Sequence, residues 1–293
     1  MTRPTRTGRT YRATATRVRC RPVANEAETR RWNDEGWAGS WPRRERLTEA
    51  VSPYLLEAAG PQLGQRVCDI GCGGGRLTIT LAGLVGPKGD VVGIDLSVPL
   101  VELARDRAAS ADVANVRFVR LDVQTGTLAE APFDLAVSQL GVMFFDEPTV
   151  AFKAIRSYLR PDGRLVFACW QGVECNPWHA ATALRPLLPA PAVPAPGKSP
   201  VGPFAFGDDE YVSELLEAAG YTGVRRTAYE TTVRAPASAV VDPSLFPFMG
   251  VPPEQMHEAD GIVRRHLERF AVEGDEYEYP LAFYVFEATN SES

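Results

Sequence analysis

The run Val67-Cys68-Asp69-Ile70-Gly71-Cys72-Gly73-Gly74-Gly75 constrains the fold more than any other part of the chain. It starts as a buried strand, passes through glycines, and continues into a helical apolar pattern over 76–85. Glycines at such a turn let the backbone approach a ligand closely, and the helix start presents free N–H groups to it. The same strand–turn–helix rhythm then repeats. Further strands are read at 90–95, 116–121, 133–139 and 164–170, after the first at 65–70. Helices are read at 98–109, which Ser97 caps with Pro99 in its first turn, and around 151–159, where Ala151, Phe152, Ile155 and Leu159 share a face. Near-continuous apolar strands alternating with helices predict a doubly wound parallel sheet covered on both faces.

The pattern changes at both ends of this core. Residues 171–206 hold eight prolines, which suits a loop-rich cover. They are followed by a helix at 210–219, a strand at 224–233, an amphipathic helix at 253–270 and a closing strand at 281–288. Upstream, residues 25–41 read as a short helix and loop carrying Trp32, Trp37 and Trp41, and 43–59 as a helix. We expect one domain over 23–293, with 25–41 and 171–206 as its lid. Residues 1–22 hold seven arginines and no acid and read as a disordered basic tail. Because recognisable sequence starts within a few residues of Val23, translation from a GTG codon there is one expectation. The net charge is −6, and without the tail the remainder carries −13. A body that acidic repels a nucleic-acid backbone. No apolar run approaches the roughly 18 residues of a membrane helix. Five cysteines, an odd number in a large chain, suit reduced thiols in the cytoplasm.

Acids recur at strand ends: Asp69 in the first strand, Asp95 closing the second, Asp122 after the third. Ligands of doubly wound sheets bind beyond the carboxyl ends of the strands, so Asp95 and Asp122 should line one crevice. A carboxylate accepts two hydrogen bonds, which suits a ribose diol at Asp95. Asp122 can accept from an adenine amine while the Val123 N–H donates to the ring. Arg76 stands where the dinucleotide fingerprint needs a small residue, which speaks against a nicotinamide-dependent oxidoreductase.

With these motifs the chain resembles the class I S-adenosylmethionine-dependent methyltransferases, in particular the ubiquinone/menaquinone-biosynthesis-type branch and its bacterial small-molecule methyltransferases. The resemblance rests on Asp69-Ile70-Gly71-Cys72-Gly73-Gly74-Gly75, Gly93-Ile94-Asp95-Leu96-Ser97, Leu121-Asp122-Val123 and Phe133–Gln139. It extends to Trp32-Asn33, Glu45-Arg46-Leu47, Leu159-Arg160-Pro161, Asn176-Pro177-Trp178 and Gly202-Pro203-Phe204-Ala205-Phe206. It implies a Rossmann-like seven-stranded sheet, mostly parallel with the last strand antiparallel, and S-adenosyl-L-methionine as cofactor. It also implies residue roles: Gly71 and Gly73 at the methionine part, Asp69 fixing that loop, Asp95 on the ribose, Leu96 on adenine, Asp122 and Val123 on the adenine edge, Ser138 near the sulfonium, and Arg46 as a weaker contact. The implied reaction is methyl transfer to a small, largely apolar acceptor, a specialised metabolite rather than a quinone precursor. A cyclase or isomerase that keeps the donor without spending its methyl would carry the same motifs.

Of three histidines, His257 and His266 read as solvated faces of the 253–270 helix. His179 follows Asn176-Pro177-Trp178 where the cover meets the crevice. It reads as a general base or substrate contact, or as a structural residue, with Glu174 a weaker candidate. Trp32, Trp37, Trp41, Trp178, Phe204 and Phe206 fall in the two covers and either wall an acceptor pocket or pack on each other; Trp32, Trp41, Trp178 and Phe206 are the candidate contacts. No cysteine–histidine spacing calls for a metal. Monomer and homodimer are both compatible with the sequence.

Overall fold

The computed structural model describes residues 26–188, 201–241, 243, 246–274 and 276–291. The tail at 1–22, the proposed start at Val23, and 189–200 of the cover lie outside the described residues. The chain runs α1 (Glu26–Trp32), α2 (Glu35–Thr48), α3 (Ser52–Ala59), β1 (Arg66–Ile70), α4 (Arg76–Val85), β2 (Asp90–Asp95), α5 (Val98–Ser110), β3 (Val116–Arg120), β4 (Phe133–Gln139), α6 (Pro148–Tyr158), β5 (Leu159–Trp170), α7 (Ala180–Leu184), α8 (Asp209–Ala218), β6 (Thr222–Pro236), α9 (Met256–Leu267) and β7 (Glu276–Thr289).

The seven strands form one sheet in the order β3-β2-β1-β4-β5-β7-β6. Strands β1 to β5 pair in parallel, and β7 runs antiparallel to both β5 and β6. The order reverses between β1 and β4, which opens a crevice at their carboxyl ends. Val67, Cys68, Val91, Val92, Ile94, Leu135, Ala136, Val137 and Leu165 to Cys169 are fully or almost fully buried, as a sheet covered on both faces requires.

Strand β5 starts at Leu159, which the sequence reading gives to the preceding helix, and the first cover differs from that reading in two ways. Residues 35–48 form a single helix, where a loop is read to 41 and a new helix from 43. Asp34 caps it by accepting from the Trp37 N–H at 3.0 Å, and Pro42 is carried inside it. The helix read over 43–59 is instead broken at 49–51 by a short 3-10 turn. Trp37, Trp41, Arg44 and Glu45 therefore fall at i, i+4, i+7 and i+8, on one face turned to the crevice.

Candidate functional site

A cavity of about 500 Å³ opens at the carboxyl ends of β1, β2 and β4. Its floor is the loop between β1 and α4. Gly71, Gly73 and Gly75 take φ of 69°, 52° and 80°, values that other residues rarely adopt. A Cβ on Gly71 would lie 3.1 Å from the Cα of Gly141, so this turn also has no lateral room.

The three strand-end acids meet there. Asp69 is buried, and the Thr78 hydroxyl donates to it at 2.6 Å, tying the end of β1 to the first turn of α4. Burial, and secondarily nearby Asp95, pushes its carboxyl up to about 7. Asp95 accepts from the Gly73 N–H at 2.8 Å and the Ser97 N–H at 2.9 Å. Burial raises its carboxyl too. Asp122 accepts from the Gln124 N–H at 2.9 Å through one oxygen. Its other oxygen is buried with no partner among the described residues, and burial again raises the group. Three carboxylates on one wall, each disfavoured as an anion, want hydrogen-bond donors or positive charge from a ligand.

The first cover is pinned over this end by backbone contacts. The Ser97 hydroxyl donates to the Trp32 carbonyl at 2.5 Å, and the Val98 N–H donates to Asn33 Oδ1 at 2.9 Å. Glu45 pairs with Arg107 at 2.8 Å, and Arg107 also donates to the Gly74 carbonyl at 2.9 Å. Helix α2 is thus latched to the glycine loop through α5. The Trp41 ring lies against the loop where a side chain on Gly73 would stand. Trp32 packs edge-on to Trp37, Trp41 and Phe144. The Arg107 latch is invisible in sequence, because nothing near residue 107 marks it.

The second cover is anchored by Asn176. This buried amide donates to the Ala282 carbonyl at 2.9 Å and accepts from the Ala282 N–H at 3.0 Å and from Trp178 Nε1 at 3.2 Å. From the other side His266 and Arg269 reach the Pro177 carbonyl at 2.6 and 2.9 Å. His266 is therefore a clamp on the cover and not a solvated histidine, whereas His257 is exposed.

Trp178 and His179 are thereby held on the cavity wall. His179 Nδ1 accepts from the Ala181 N–H at 3.2 Å as the cap of α7. Its ring stands edge-on to Phe204, centroids 4.9 Å apart. Burial, then the Arg44 guanidinium, lowers its pKa to about 4. The ring is neutral at physiological pH. With Nδ1 accepting, its proton sits on Nε2, so toward the cavity it is a hydrogen-bond donor and not a base.

Asp69, Gly71, Asp95, Leu96, Asp122, Val123, Trp32, Trp41, Trp178 and His179 all line the cavity. Five other expectations need correcting. Ser138 is buried and donates to the Ile70 carbonyl at 2.7 Å, bracing β4 against β1; Gln139 and Leu140 take its place on the wall. Gly73 turns its N–H to Asp95 and lies under Trp41, so Cys72 is the wall residue beside Gly71. Phe206 is 1% exposed and stacks on Phe152 in the core, while Phe204 lines the cavity. Arg46 is exposed, and Arg44 faces inward from the same helix. Glu174 is also exposed and away from the wall. Among the described residues no group of three or more His, Cys, Asp or Glu is placed to hold a metal, and no helix is long and apolar enough to cross a membrane.

Residues 62–184 match the family model described as "Methyltransferase domain". The chain is 31% identical over 200 residues to the nocamycin O-methyltransferase of Saccharothrix syringae, covering 64% of this chain and 70% of that one. It is 33% identical over 114 residues to the ubiquinone/menaquinone biosynthesis C-methyltransferase UbiE of Ectopseudomonas mendocina, covering 39% of this chain and 44% of the relative. In fold it is similar to YcgJ of Bacillus subtilis, with a TM-score of 0.56 at 16% identity over 83% of this chain and 99% of that one. The glycine turn, the three strand-end acids and these likenesses together show that the chain belongs to the S-adenosylmethionine-dependent methyltransferases.

Proposed function

We propose that this enzyme methylates a small, largely apolar specialised metabolite in the cytoplasm, with its acceptor held between the two covers. The observation that carries this reading is the cavity's division. One end is the acid-lined glycine turn, and the other is walled by Trp170, Trp178, Phe204, Phe246 and Met249. A pocket with an apolar body and few polar groups selects a small hydrophobic ligand and not a polymer. The similarity to the nocamycin enzyme supports a specialised metabolite as acceptor.

The buried, unpartnered oxygen of Asp122 and the raised carboxyls of Asp69 and Asp95 fit a donor rich in N–H, O–H and positive charge. In our reading Asp95 accepts from the ribose hydroxyls, Leu96 packs on adenine, and Asp122 with Val123 reads the adenine edge. Gly71 and Cys72 border the methionine part. When bound, the donor supplies a methyl group on a sulfonium, already an excellent leaving arrangement. The protein's contribution is to align the acceptor and exclude water, and alignment alone is worth several powers of ten in rate. The aromatic covers do both.

Methyl-labelled S-adenosylmethionine, incubated with the enzyme and the low-mass fraction of the host's extract, should label an organic-extractable small molecule. Label confined to protein or nucleic acid, or product formed without label, would refute the assignment.

Asp69 gives a second check. A cationic group beside it favours its carboxylate, so donor-site binding should lower its pKa from about 7. The donor-free group is mostly protonated at pH 6 and mostly ionised at pH 8.5. S-adenosylhomocysteine keeps the cationic amino group. Calorimetry of its binding, in buffers of different ionisation enthalpy, should therefore show release of close to one proton at pH 6 and almost none at pH 8.5. Asp69→Asn should abolish the release. Proton uptake at pH 6, or release unchanged in the variant, would show that another group titrates.

A further inference from the structure

A chain of hydrogen bonds in the second cover holds one imidazole still. Asn176 is tied to Ala282 and to Trp178 Nε1, and the Pro177 carbonyl is clamped by His266 and Arg269. The His179 N–H then donates to the Asn176 carbonyl at 3.1 Å, and the His179 carbonyl accepts from the Thr182 N–H at 3.0 Å. The ring is fixed as well. Its Nδ1 accepts from the Ala181 N–H. It stands edge-on to Trp178 and to Phe204, with centroids 5.6 and 4.9 Å away and planes at 67° and 84°.

Capping alone does not explain a histidine here. Helix α7 is only 5 residues long, and Asn, Asp, Ser and Thr are the residues that cap helices best. A histidine at this position differs from an asparagine in one respect. Its Nδ1 does the work of the asparagine oxygen, and a second ring nitrogen projects beyond it. That nitrogen, Nε2, carries the proton because Nδ1 is an acceptor, and burial keeps the ring neutral. His179 lies on the cavity wall, and among the described residues nothing accepts from Nε2. A neutral, pre-oriented N–H donor therefore stands in the apolar end of the cavity, where low polarity strengthens any hydrogen bond made to it.

From this geometry we infer that the His179 Nε2–H positions the acceptor by donating to a carbonyl oxygen carried on its apolar ring system. This rests on the reading of the cavity as an acceptor pocket and narrows the class of acceptor. A carbonyl is favoured over a hydroxyl for a reason that lies in the wall. The rings in contact with His179 offer no acceptor: Trp178 Nε1–H is a donor already bonded to Asn176, and phenylalanine has no polar side-chain atom. Trp170, Phe246 and Met249 on the same wall carry no strong acceptor either. A hydroxyl would accept from Nε2–H but leave its own proton without a partner, and an unpaired polar group in such a place is destabilising. A carbonyl brings lone pairs and no proton. Because the ring holds its proton toward the ligand, His179 orients the acceptor and does not deprotonate it.

The test uses probes of one shape. These are 2-acetylnaphthalene, 2-isopropenylnaphthalene with a methylene group in place of the oxygen, and 1-(2-naphthyl)ethanol with a hydroxyl. Each is titrated by equilibrium dialysis against enzyme saturated with S-adenosylhomocysteine. His179→Asn keeps the cap and removes the Nε2–H. It should weaken binding of the ketone about five- to a hundredfold, the range for leaving a buried acceptor unpaired, weaken the alcohol less, and hardly change the alkene. His179→Gln carries an amide N–H out to the region of Nε2 and should restore most of the ketone's affinity. Affinity for S-adenosylhomocysteine in each variant serves as the control for folding. Equal losses of ketone and alkene in His179→Asn, or no loss of the ketone, overturn the inference and leave the apolar pocket standing. A loss for the alcohol as large as for the ketone overturns the choice of a carbonyl. Failure of all the probes to bind the unaltered enzyme overturns the acceptor-pocket reading and the inference with it.

Discussion

Asp95→Ala should weaken binding of S-adenosylhomocysteine by about 2–4 kcal/mol, roughly thirty- to a thousandfold, through loss of charge-assisted hydrogen bonds. The structure sharpens the reason. Asp95 already accepts from Gly73 and Ser97 N–H groups, and each of its oxygens has a second lone pair for a ligand hydroxyl. The carboxylate therefore joins the glycine turn, the start of α5 and the ribose in one cluster. Removing it deletes the ligand contacts and also releases Gly73, whose φ of 52° is held in part by that bond. Asp95→Asn separates the two effects. An amide oxygen still serves one backbone N–H, but the amide nitrogen opposes the other. Its affinity should fall between those of the native enzyme and Asp95→Ala. Calorimetry measures all three; native affinity in Asp95→Ala would place the ribose elsewhere.

The core of the fold was legible because its signals are local and periodic. Apolar strands ended by Asp69 and Asp95, helices started at Arg76 and Ser97, and the glycine turn all write their structure in consecutive residues. Three kinds of feature were not. The ends of β6 and β7 beyond the strands read, 234–236 and 276–280, pair with each other from Pro236 with Glu276 to Arg234 with Glu278; this ribbon carries no continuous apolar run for a sequence reading to catch. Helix α2 contains Gly36, Gly39 and Pro42, which argue against a helix locally, and its tertiary contacts override them. Side-chain direction was the third. Ser138 and Gln139 are neighbours on β4, and strand alternation sends one into the sheet and the other to the cavity. Arg44 and Arg46 are two positions apart on α2, a separation that puts them on different faces. A motif locates a segment, and packing decides which of its residues reaches the ligand.

The same distinction separates Phe204 from Phe206, which share the motif Gly202-Pro203-Phe204-Ala205-Phe206. Phe206→Ala should cost about 3–5 kcal/mol of folding stability, the usual range for removing a buried phenylalanine. Phe206 stacks on Phe152 with centroids 6.0 Å apart, and Phe152 continues through Phe167 to Phe286 on β7. Its carbonyl also accepts from the buried Cys169 thiol at 3.7 Å. Total stabilities of domains are only about 5–15 kcal/mol, so the loss should be plain in urea unfolding. Phe204 is only partly buried and rests edge-on to His179. Phe204→Ala should cost less than half as much, and should instead weaken binding of an apolar probe, 2-naphthalenemethanol, to enzyme saturated with S-adenosylhomocysteine. If Phe206→Ala unfolds no earlier than Phe204→Ala while losing probe affinity, then Phe206 belongs to the pocket wall and the motif, read literally, was the better guide.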